Sequence, residues 1–143
     1  MVRPTFKYNG NPVRAAGIIF WTEIKGVRWN LLRHYKGKWQ DTGGKTDEKD
    51  VSFLETAVRE ACEETNGQLF PPGRIHDMLK NPRLTKIQYN AKCKYVLFTC
   101  YVEPPVKGLP LARFGETEGG KPHKFQWFQK KPVLHFRLRR FII

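Results

Sequence analysis

Between Gly43 and Gly67 the chain reads GGKTDEKDVSFLETAVREACEETNG, and few folds can house that segment. The pattern predicts a helix over about Val51 to Thr65, with Asp50 or Ser52 as N-cap and Asn66-Gly67 as a left-handed stop. A helix advances about 100° per residue, so Glu60, Glu63 and Glu64 share one face. Leu54, Ala57, Val58, Ala61 and Cys62 lie round the other side. One side suits a core, and the other concentrates negative charge. Carboxylates this close raise each other's pKa unless a cation neutralises them. Mg²⁺ takes hard oxygen ligands and keeps waters and phosphates in its shell, so it is the cation these residues suggest, with Mn²⁺ the alternative.

The same residues resemble the Nudix box, G-x5-E-x7-R-E-U-x-E-E-x-G-U, where U is aliphatic. Gly44 matches the first glycine, and Arg59, Glu60, Ala61, Glu63 and Glu64 match R-E-U-x-E-E. There are three departures. The first acid is Asp50 rather than Glu, one extra residue separates it from Arg59, and Asn66 stands at the final glycine. None touches the three helix glutamates.

The resemblance implies an α/β fold, a Nudix-type α/β/α sandwich with a mixed β-sheet between helices. It implies hydrolysis of a diphosphate linkage in a substrate built on a nucleoside diphosphate. It also implies roles. Glu60, Glu63 and Glu64 look like metal ligands, with the carbonyl of Gly43 completing the shell. Arg59 looks like the residue that orients a helix glutamate. Lys45 is placed to reach a phosphate. The general base in this family is either a box glutamate or an acid from a late loop. Here that loop offers Glu116 and Glu118, and Glu118 is favoured.

Elsewhere the chain reads as a single domain over residues 1–143, a length that suits one core. Val13–Ile24 is an apolar run rich in β-formers, predicted to be a central strand. Lys25-Gly26 then turns it into a partner over Val27–Tyr35. Trp39–Asp41 leads to a Gly43–Lys45 loop. Residues 75–80 are ambiguous between helix and loop. Leu84–Tyr89, Lys92–Val102 and His123–Phe128 are predicted strands. In the tail, Leu134, Leu138, Phe141 and Ile142 fall on one helical stripe, which predicts a terminal helix over Val133–Ile143.

Cys62, Cys93 and Cys100 are an odd number of cysteines in apolar surroundings. They predict reduced thiols in a cytoplasmic protein, with a nuclear one the alternative. The four histidines show no metal-ligand spacing. No apolar run approaches membrane-spanning length, so no membrane partner is expected. A monomer or homodimer is expected.

The formal net charge is +13, from 26 Lys and Arg against 13 Asp and Glu. Such a field attracts polyanions. The acidic helix is therefore an island on a basic chain, a layout in which basic residues hold a phosphate substrate while carboxylates hold metal. A base-recognition slot would draw on Trp21, Trp29, Trp39, Phe20, Tyr89 or Trp127. Four functions fit. The first is hydrolysis of nucleoside triphosphates or dinucleoside polyphosphates. The second is decapping or pyrophosphate removal at RNA 5′ ends, the third is hydrolysis of inositol pyrophosphates, and the fourth is non-catalytic binding of nucleotide or RNA.

Overall fold

The structure is a computed structural model that describes residues 2–104, 112–114, 123–129, 133–135 and 140–142. At its centre lies β3 (Ala15–Ile24), the predicted apolar run. A tight turn at Lys25 and Gly26, both in the left-handed region, returns the chain as β4 (Val27–Tyr35). Left-handed φ at both central residues suits the right-handed twist of a two-residue hairpin. A second such turn, at Lys36 and Gly37, leads into β5 (Lys38–Gln40), which pairs back onto β4.

β6 (Thr42–Lys45) pairs antiparallel with the first half of β3, and β4 pairs with the second half. The Gly43–Lys45 segment is thus a strand and not the expected loop. Its two glycines lie against the sheet, so their small size lets another layer approach. On the other edge of β3 runs β8 (Tyr95–Tyr101), parallel to it. β7 (Thr85–Asn90) pairs antiparallel with β8. β10 (His123–Phe128), a strand with the predicted bounds, pairs with β4 and with the short β9 (Ala112–Phe114). The sheet order is β7-β8-β3-β4-β10-β9, mixed through the single parallel pairing of β3 and β8. A small hairpin, β1 (Phe6–Tyr8) with β2 (Asn11–Val13), precedes it.

Among the described residues, two helices complete the α/β fold. α1 is Phe53–Thr65, capped by the Ser52 hydroxyl, which accepts the backbone N–H of Glu55. Asp50, the other candidate cap, is engaged elsewhere. Asn66 closes the helix in the left-handed conformation. The ambiguous residues 75–80 belong to α2 (Pro72–Lys80), with Pro72 in its first turn, where the missing N–H costs nothing. Ala57, Val58 and Ala61 of α1, with Ile75 and Leu79 of α2, pack on one face of the sheet, against Ala16, Ile18, Phe20, Leu31, Val96, Phe98 and Phe125. The alternate residues Ala15, Ile19, Leu32, Tyr95 and Leu97 form a second core on the opposite face.

The expected terminal helix is corrected. Residues 133–135 form β11, 140–142 form β12, and the two pair antiparallel. From Leu134 to Leu138 apolar and polar residues alternate strictly, a period-2 pattern that overlaps the helical stripe and fits strands equally. Among the described residues, no helix is long and apolar enough to cross a membrane. The three cysteines are free thiols, with Cys100 buried.

Candidate active site

Each acidic residue of α1 meets a different environment. Glu64 points at the sheet and is buried. Its Oε1 pairs with Arg33 Nη2 of β4 at 2.8 Å, each side chain being 7% exposed. Burial pushes the Glu64 carboxyl well above the ordinary glutamate range. The Arg33 guanidinium and the Gly43 N–H pull it down, while the charges of Glu60 and Asp41 push it further up. Desolvation is the leading cause, and two neighbouring acids add to it.

Glu60, one turn earlier, lies over β6. A Cβ on Gly44 would collide with the Glu60 carboxylate, so the glycine makes the room that this side chain occupies. Glu63 is on the outer flank and 57% exposed.

Arg59 holds the approach to this helix. Its Nε donates to Asp50 Oδ1 at 2.9 Å, and its Nη2 donates to Asp50 Oδ2 at 3.1 Å and to the Lys45 carbonyl at 2.9 Å. Its Nη1 reaches Glu60 at 3.2 Å and Glu63 at 3.0 Å. Burial alone would lower the Arg59 pKa, but these acidic partners raise it. Asp50 also accepts the Thr56 hydroxyl at 2.8 Å and the Asp47 N–H at 2.9 Å. Burial opposes its ionised form, and the hydrogen bonds outweigh burial, so its pKa is lowered. Arg59 is therefore a positioning residue that ties the loop, β6 and the helix together. The shorter Asp50 reaches it despite the extra residue, because the backbone turns from Asp47 to Asp50.

Beneath the site lies a second acidic group that the motif does not contain. Asp41 is buried and accepts the phenolic hydroxyl of Tyr95. The two side chains fill the hollow left by the cross-strand glycines Gly17 and Gly43, where an added Cβ would meet Tyr95.

The structure brings Glu60, Glu64, Gly43 and Arg59 together. Glu63 is adjacent but faces solvent and shares Arg59 with Glu60. Lys45 is exposed at the end of β6; side chains alternate along a strand, so it lies on the face opposite Gly44 and Glu60. Glu116 and Glu118 lie outside the described residues. Sequence reasoning missed Arg33, Asp41 and Tyr95. Only Arg33 left a signal, being a charged residue at an inward position of an alternating strand.

Among the described residues no three His, Cys, Asp or Glu side chains converge into a ready-made metal cage. Yet Glu60 and Glu64 are hard oxygen donors, and the charge of Glu60 raises the proton affinity of Glu64, which a cation would relieve. Mg²⁺ is commonly bound by one or two carboxylates plus substrate phosphates, which matches this donor set. Glu60 and Glu64 would hold the ion, with Glu63 at its outer edge.

No curated protein matches the sequence significantly. The chain is similar to the crystal structure of a C. elegans Ap4A hydrolase binary complex, at 17% identity over 81% of this chain and 80% of that one, with a TM-score of 0.49. It is also similar to the NUDIX domain of Shewanella oneidensis NrtR complexed with ADP ribose, at 16% identity over 82% and 72%, with a TM-score of 0.42. The family model described as the NUDIX domain matches residues 12–141, a span that takes in the sheet, α1 and its carboxylates. The chain belongs to the NUDIX family.

Proposed function

We propose that this protein is a Mg²⁺-dependent pyrophosphohydrolase acting on nucleoside triphosphates or dinucleoside polyphosphates. That it is a hydrolase of pyrophosphate bonds follows from its NUDIX domain. The observation that carries the metal-dependent reading is the Glu60–Glu64 pair. One member is buried with a strongly raised pKa, and both lie beside the glycines of β6. When bound there, a divalent ion neutralises phosphate oxygens and lowers the pKa of a coordinated water. The chain's own residues do the rest. Arg33 holds the Glu64 carboxylate in place, and Arg59 holds Glu60 and Glu63. The net charge of +13 keeps an RNA 5′ end as the second reading.

The test is turnover with and without Mg²⁺ on nucleoside triphosphates, a dinucleoside tetraphosphate, a capped RNA and an inositol pyrophosphate, with Glu64→Gln as the blank. Glu64→Gln should remain folded and lose about 10²–10³ in kcat, the scale of one lost electrostatic contributor. Equal turnover in the variant would show that Glu64 is not in the metal site. Silence on every substrate from the folded wild type would favour a binding module.

A further inference from the structure

The β4–β5 hairpin beside the active site carries exposed positive charge and aromatic rings that the hydrolytic reading leaves unused. Tyr35 follows Arg33 by two residues on β4, so it faces the same side of the sheet as α1 and lies one step outward from the Arg33–Glu64 pair. It is 44% exposed. The Arg33 guanidinium lies 4.8 Å from the centre of its ring, and Lys36 Nζ lies 5.2 Å from it. Lys38, its cross-strand partner, is exposed on the same face.

Trp39 occupies the opposite face of the hairpin, with Lys124 Nζ 5.8 Å from its ring. Strand register gathers Lys45 and Lys94 at this same end of the sheet, because Lys45 and Tyr95 both pair with Ala15. Lys36, Lys38, Lys45, Lys94 and Lys124 are all exposed there. Among the described residues, the nearby acids are Asp47 and Glu48, beyond Lys45, and the buried Asp41 and Glu64.

Lysines alone would suit any polyanion. Rings interleaved with lysines suit a polyanion that carries bases, because stacking adds to phosphate pairing. We infer that the β4–β5 hairpin is a binding track for single-stranded nucleic acid, stacking a base on Tyr35 and pairing phosphates with Lys36 and Lys38, so that the terminal phosphates reach Glu60 and Glu64. This deepens the second of the proposed readings, hydrolysis at an RNA 5′ end, and rests on it for the last step only. The track itself binds whether or not the bond is cut.

The test is fluorescence anisotropy with a 3′-labelled single-stranded oligoribonucleotide in EDTA, titrated at several salt concentrations. Inorganic polyphosphate serves as the base-free competitor. The Lys36→Asn, Lys38→Gln double variant should flatten the slope of log K against log salt by about 1.4, since each phosphate contact on a single strand contributes about 0.7. Asn is chosen at position 36 because it tolerates the left-handed backbone there. Tyr35→Ala should weaken the oligonucleotide about tenfold and leave polyphosphate unaffected, while Tyr35→Phe keeps the wild-type affinity.

Affinity indifferent to these positions overturns the track, and so does a Tyr35→Ala loss that is equal for oligonucleotide and polyphosphate. Wild-type hydrolysis of a nucleoside triphosphate, measured in parallel, judges the enzymatic reading separately. Its absence would strike that reading and leave the binding result to decide the track.

Discussion

At the residue scale, two buried acids are held in opposite ways. Asp50 is kept ionised by Arg59, Thr56 and the Asp47 N–H, and its pKa is lowered. It therefore stabilises the fold above its ordinary range, and that contribution is lost as pH falls through its native value. Asp50→Asn should be less stable than wild type at neutral pH, and the gap should narrow on acidification, as read by denaturant unfolding across pH. Glu64 is raised, so its contribution has the other sign. It favours the fold where it is protonated and is lost as pH rises from the ordinary glutamate range through its native value. Arg33 is what makes the ionised form tolerable. Arg33→Met should cost about 3–5 kcal/mol at neutral pH by leaving Glu64 buried without its partner, and less in acid. Arg59 and Glu64 were legible from their spacing in the chain. The Arg33 and Asp41 contacts were not, because they depend on strand register, which no local pattern encodes.

At the level of elements, β6 and α1 are matched through glycine. A Cβ on Gly43 would meet the Cα of Gly17 at 2.7 Å, backbone against backbone, so the sheet itself must shift. The nearest atoms that a Cβ on Gly44 would meet are at the end of the Glu60 side chain, which can rotate away. Gly43→Ala should therefore lower stability, by about 1–3 kcal/mol. Gly44→Ala should spare stability and reduce turnover and metal affinity instead. Melting curves and kinetics on the two variants separate these outcomes. The α1 helix, the β3–β4 hairpin and β10 were readable because each carries strong periodicity or an unambiguous turn. β6 was not, since TGGK has little strand propensity and is held by its pairing with β3. The tail misled because its apolar residues satisfy two periods at once.

For the whole molecule, the Glu60–Glu64 pair is the proposed seat of a cation. Mg²⁺ should raise the melting temperature, approaching about 2.7 kcal/mol of added stability at a hundredfold excess over its Kd. The rise should shrink as pH falls, because protons compete for the raised Glu64, and it should vanish in Glu60→Gln, as read by differential scanning fluorimetry. The parallel pairing of β3 with β8 has a consequence for how the chain is made. Everything from β4 through α2 to β7 lies between those two neighbours in the sequence. A nascent chain can close the β3–β4 hairpin early, by local contacts. The middle of the sheet cannot form until Tyr101 has left the ribosome, which predicts slow folding dominated by a long loop closure. Until then the apolar edge of β3 is open to any other strand, and synthesis, more than the finished protein, is when this molecule is prone to aggregate.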